Sequence, residues 1–147
     1  MRRNRAFFGF FLFVAVLVSV IACNKSSDEE QIRQVINNLS KAIEENKPAA
    51  ITEYLHEDFR ANGDMNAQQV KQLLLMQGLQ HQAISISIVS AKTIVDPVYP
   101  DKADSTLSVI TTGSSDGVLP KDTSARVVKL SWRKDRDWKI LKADWQE

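Results

Sequence analysis

The chain has 147 residues, the length of about one domain, with 19 Lys+Arg against 18 Asp+Glu and a single cysteine. A net charge of +1 at pH 7 is not the balance of a nucleic-acid binder. One thiol also excludes an internal disulfide, so the fold must be held by its core. The chain opens on Arg2, Arg3 and Arg5, followed by an apolar run from Ala6 to Ala22 broken only by Gly9 and Ser19. A basic start, an apolar stretch and a small residue at the cleavage point form a secretory signal over residues 1–22. The run falls short of the roughly 20 residues that span a bilayer, which weighs against an uncleaved anchor.

Val20-Ile21-Ala22-Cys23 resembles the lipobox of a bacterial lipoprotein. The resemblance implies a diacylglycerol on the Cys23 thiol, with fatty acids such as palmitate, and cleavage before Cys23. The mature chain is then tied to a membrane of the cell envelope and faces the periplasm. Residues 23–27 form the lipidated tether and residues 28–147 the folded domain. Asn24 lacks the Asp that marks inner-membrane retention, while Lys25-Ser26 resembles a retention pair, so inner versus outer membrane stays open. Within the domain, residues 28–68 hold nine acids and four bases, and residues 118–147 hold eight bases and five acids. The two ends differ in sign, as two faces of one small domain do.

The domain reads as a helical half and a strand half. Ser27-Asp28-Glu29-Glu30 has the spacing of a capping box. Ile32, Val35, Ile36, Leu39, Ala42 and Ile43 then form one apolar stripe, predicting a first helix over 28–45 with Leu39 in the core. Pro48 opens a second helix ending near His56, with Phe59 closing its inner face from the following loop. Asn66-Ala67-Gln68-Gln69 again has capping-box spacing. The third helix it starts should stop at Gly78 and be buried on two sides through Leu75, Met76 and Leu79. Ile84-Ser85-Ile86-Ser87-Ile88 alternates as a strand, and Val89 breaks the alternation as a bulge does. Asp96-Pro97-Val98-Tyr99-Pro100-Asp101 is a loop. Strands follow over 106–112, 126–133 and 138–145. Trp138 and Trp145 are seven residues apart, so a regular strand puts one of them outward.

Helices followed by an antiparallel meander make an α+β pattern. Ile32 to Ile43, then Tyr54-Leu55-His56-Glu57-Asp58-Phe59, then Trp132-Arg133-Lys134-Asp135-Arg136-Asp137-Trp138-Lys139-Ile140, resemble segments of the nuclear transport factor 2-like (SnoaL-like) superfamily. The resemblance implies three N-terminal helices packed on a curved antiparallel sheet of about four strands, a cone of the cystatin-like kind. It implies a pocket inside the cone, for which Tyr54, Phe59, His81 and Trp132 are the candidate lining residues.

Chemistry-bearing motifs are absent from the sequence: there is no metal-ligand spacing, no phosphate-binding glycine loop and no G-x-S-x-G. Superfamily enzymes work by acid–base chemistry in the cone, and Tyr54, Asp58, Asp64, His81 and Asp104 are the local candidates. No catalytic residue transfers from the resemblance, and no cofactor or metal is expected. The favoured reading is a lipid-anchored envelope protein whose cone binds a small apolar ligand or a protein partner without catalysis. The alternatives are a SnoaL-like isomerase, dehydratase or cyclase, and a scaffold subunit of an envelope assembly. The oligomeric state stays open, a dimer included.

Overall fold

A computed structural model describes residues 26–79, 83–114 and 122–146. Residues 1–22, Cys23 and His81 lie outside the described residues. No helix among the described residues is long and apolar enough to cross a membrane.

Helix α1 (Asp28–Glu44) starts where the capping spacing puts it: the Ser27 hydroxyl accepts the Glu30 N–H at 3.2 Å. Asp28, Glu29 and Glu30 place negative charge against the exposed N–H groups of the first turn. Ile32 and Ile36 are buried, whereas Leu39 is only half-buried. The expectation of Leu39 in the core is corrected accordingly: it packs at the core's margin, for a reason that emerges at the site. Asn46, in the left-handed region at φ 51°, turns the chain into α2 (Pro48–Glu53).

Here the sequence reading needs its main correction. The chain does not stay helical to His56. Residues Leu55–Ala61 form strand β1, which pairs parallel with β5 (Trp138–Gln146). The join is tight, because the Tyr54 carbonyl accepts the Ile140 N–H at 2.9 Å. Phe59 is therefore a buried strand residue and not a loop residue. The register shifts between Leu55 and Arg60, so burial does not alternate along β1 and its sequence carries no clean period of two.

Helix α3 (Ala67–Leu79) has the predicted reciprocal cap: the Gln69 N–H donates to Asn66 Oδ1 at 3.0 Å, and the Asn66 N–H donates to Gln69 Oε1 at 2.9 Å. It runs through Gly78 to Leu79. It packs on α2 and β1 and leaves Leu73, Leu75 and Met76 exposed, so two-sided burial of this helix is not observed.

Strands β2 (Ala83–Val95), β3 (Lys102–Ser114) and β4 (Asp122–Lys134) complete a five-stranded sheet of order β1-β5-β4-β3-β2. Strands β2 to β5 form the expected antiparallel meander, and β1 adds a parallel edge beside β5. Two bulges set which side chains face α1. Pairing steps from Ile88↔Val109 to Ser90↔Ser108, leaving Val89 unpaired as the sequence predicts. It steps again from Trp132↔Ile140 to Ser131↔Lys142, skipping Leu141. That second bulge reverses the alternation, so Trp138, Ile140, Ala143 and Trp145 share the inner face. No tryptophan of the final hairpin points outward: Trp132 and Trp138 are buried, and Trp145 packs half-buried against the same core.

The core lies between α1 and the sheet. A buried polar chain crosses it, with Trp132 Nε1 donating to Ser105 Oγ at 2.9 Å and Ser105 Oγ 2.7 Å from Thr93 Oγ1. At one end, Asp28 accepts from Trp138 Nε1 at 3.1 Å and is ion-paired with Lys134, which ties the start of α1 to the β4–β5 hairpin. At the other end, Glu44 Oε1 accepts the outward N–H of Ile86 at 2.7 Å, closing part of the open edge of β2.

Candidate functional site

The strands are longer than the helix that covers them. Thirteen residues of β2, β3 or β4 extend about 43 Å, while the seventeen of α1 extend about 25 Å. Ile32 and Ile36 fill the space over the Trp132 end of the sheet. Toward the end of α1 the inward residues are Leu39, Ser40 and Ile43, and they face strand positions occupied by Ile86, Ile88, Val109, Thr111 and Val128. A trough of about 170 Å³ remains there, with Ile36, Leu107 and Leu130 as its floor. This is why Leu39 is half-buried: it forms the wall of a void.

Its chemistry is uniform. Of the eleven side chains lining the trough, nine are aliphatic and two, Ser40 and Thr111, carry hydroxyls. The Thr111 hydroxyl lies 2.9 Å from Ser124 Oγ on the neighbouring strand and is already partnered. No lining residue is ionisable. Lys41, Glu44 and Glu45 stand outside, along the rim where α1 meets β2. Glu45 is held below the usual carboxylate range by its hydrogen bond from Lys47, with the charges of Lys47 and Lys41 adding to the effect. It is a solvated surface acid.

The sequence-predicted pocket residues are placed elsewhere. Phe59 and Trp132 are packed in the core, and Tyr54 sits half-buried at the end of α2. None of the three lines the trough. Of the acid–base candidates, Asp58 and Asp64 are exposed, and Asp104 lies on the outer face accepting a hydrogen bond from Ser131 at 2.7 Å. The aliphatic residues that do form the site were legible individually as strand and helix positions. Nothing in the sequence marked them as facing a void.

One cluster of titratable groups lies away from the trough. His56 is buried, with Nδ1 accepting the Asp58 N–H at 3.0 Å and Nε2 3.4 Å from Asp135 Oδ2. Among the described residues, His56, Glu57 and Asp58 are the one group whose ligand atoms come within 4.8 Å of one another. Because Nδ1 already receives a backbone N–H, only Nε2 could ligate, and it is directed at Asp135. The cluster is on β1, two strand spacings or about 10 Å across the sheet from β4, the nearest strand that lines the trough, and none of its residues is part of that lining. A second hollow, of about 420 Å³, lies over β3 and β4 beside the Val89 bulge and is bordered by Ile110, Ala125 and Val127.

No family model matches the chain, and no curated protein matches it. Solved structures do. A protein of Novosphingobium aromaticivorans provisionally named scytalone dehydratase superposes with a TM-score of 0.71 at 16% identity, over 80% of this chain and 82% of that one. A nuclear transport factor 2-like protein with a cystatin-like fold from the same species gives 0.64 at 15% identity, over 80% of each chain. A Bdellovibrio bacteriovorus protein, Bd1075, gives 0.66 at 13% identity over 80% of this chain, which spans only 40% of that longer protein. Helices laid against a curved five-stranded sheet, in the arrangement these structures share, give this chain a nuclear transport factor 2-like, cystatin-like fold.

Proposed function

We propose that the concave trough holds a small apolar molecule without transforming it, in a domain tied to an envelope membrane by lipid on Cys23. The observation that carries the binding reading is the trough's lining, eleven side chains with no ionisable group among them. Acid–base catalysis needs a titrating group within hydrogen-bond reach of the substrate, and the described carboxylates stand outside. Size narrows the ligand. About 170 Å³ is far below the roughly 300–1,000 Å³ of drug-sized pockets and close to the roughly 150 Å³ of an engineered apolar cavity that takes up benzene. One small ring or a short alkyl chain fills it. A longer molecule would leave its remainder at the rim.

The name of the Novosphingobium neighbour favours the enzyme reading, at an identity that speaks only for fold. The exposed Leu73, Leu75 and Met76 of α3 favour a protein partner instead. Both are separable by experiment. Ile86→Trp puts an indole at the mouth of the trough, on an edge strand that tolerates bulk. Toluene and butylbenzene are expected to raise the melting temperature of the unmodified protein and to bind Ile86→Trp at least tenfold more weakly. Equal binding by both would contradict the trough as the site. Conversion of a bound compound would move the site to the enzyme reading.

A further inference from the structure

The hairpin tip between β2 and β3 carries two strongly exposed apolar side chains near the start of the domain: Val98 is 72% and Tyr99 54% exposed. They are not on a loose loop. Asp96 Oδ1 accepts the N–H groups of Val98 at 2.8 Å and Tyr99 at 3.0 Å. A turn closes from the Lys102 N–H to the Tyr99 carbonyl at 2.9 Å, with Pro100 at its second position. The Lys102 ammonium lies 4.4 Å from the centre of the Tyr99 ring. The Tyr99 and Val98 hydrogen bonds, in that order, also hold the Asp96 carboxyl below its usual range, as expected for a charge that fixes the tip. Two prolines and three backbone bonds therefore hold an aliphatic and an aromatic side chain out in solvent.

The position of the tip gives this exposure a use. The Lys134 N–H donates to the Asp101 carbonyl at 2.8 Å, and the Lys134 side chain pairs with Asp28. The tip and the start of α1 thus occupy the same end of the domain. Five residue steps separate Asp28 from Cys23, a reach of at most about 17 Å even when fully extended. If Cys23 carries lipid, this end cannot leave the bilayer surface by more than that distance. The other groups at this end, Glu29, Asp135, Arg136 and Asp137, are charged. Among the described residues here, exposed apolar surface is that of Val98 and Tyr99 at the tip, with Ile94 behind them on β2.

We propose that the Pro97–Pro100 tip is a membrane-contact element, with Val98 seated among the acyl-chain ends and Tyr99 and Lys102 at the level of the phospholipid headgroups. Tyrosine's apolar ring with a polar tip, and lysine's long stem, suit that interface. The charges at this end are of both signs, so the contact rests on the apolar pair and is insensitive to salt. It also orients the domain. Val109, in the trough, lies six residues along β3 from Ala103, about 20 Å farther from the bilayer, so the trough loads from the aqueous side.

This inference rests on acylation of Cys23. Its test uses the full lipidated chain in vesicles of phosphatidylethanolamine and phosphatidylglycerol. Val98→Cys carries an environment-sensitive fluorophore, which reacts there alone because the Cys23 thiol is acylated. Lys41→Cys, at the far end of α1, carries the same label as reference. A blue-shifted label at position 98, quenched by lipid-borne quenchers while the label at 41 stays aqueous, is the expected result. Aqueous labels at both positions on vesicle-bound protein would overturn the contact and leave the anchor intact. Lipid-exposed labels at both would overturn the orientation. A chain that does not bind the vesicles would overturn the acylation reading and the contact with it.

Discussion

Trp132→Ala is expected to destabilise the domain by about 3–5 kcal/mol, the range for emptying a buried aromatic site. Trp132 is 1% exposed and sits across the sheet from Ala103 and Ile140, beneath α1. Its removal takes away packing on both flanking strands and the donor to Ser105, itself buried. Small domains are stable by only about 5–15 kcal/mol, so this one change consumes a large share. Trp132→Phe keeps most of the ring and deletes the indole N–H. It is expected to cost about 1–2 kcal/mol, because Ser105 keeps Thr93 as a partner. Denaturant melts of the two variants check both values. A cost below about 1 kcal/mol for the alanine variant would place the core elsewhere.

The second large effect concerns location. Cys23→Ala is expected to abolish incorporation of labelled fatty acid and to leave residues 1–22 attached, visible as an unprocessed mass. Two or more acyl chains hold a protein firmly to a bilayer, whereas a single chain is marginal, so loss of this one thiol removes the lipid anchor and leaves only the apolar run of the unprocessed signal. Unchanged mass and unchanged membrane partitioning in the variant would sink the lipoprotein reading.

The local signals were legible and the long-range ones were not. The Ser27 and Asn66 caps, the Ile32–Ile36 stripe, the Val89 bulge and the proline-bounded tip are short-range features, written in spacings of a few residues. Strand β1 is different. Leu55–Ala61 becomes a strand because β5, some eighty residues later, offers it a free edge, and its own register shift erases the alternation that would reveal it. The Leu141 bulge likewise follows from pairing with β4, and it brings Trp138 and Trp145 onto one face where a regular strand would separate them. The site suffered most. Tyr54, Phe59 and Trp132 are large and aromatic, and such residues draw attention in a sequence. Their size is also what fills a core. The trough is a mismatch of length between α1 and three long strands, lined by ordinary isoleucines, leucines and valines. Composition cannot show a void.

Ligand binding in that void is the central claim, and methyl NMR reads it directly. With isoleucine, leucine and valine methyls labelled, toluene is added to the full chain in detergent. The account predicts shifts concentrated at Ile36, Leu39, Ile88, Leu107, Val109 and Val128, with intermolecular contacts from the aromatic protons to the same methyls. Saturating toluene that leaves these methyls unmoved, or that shifts only Leu73 and Leu75 on α3, would contradict it.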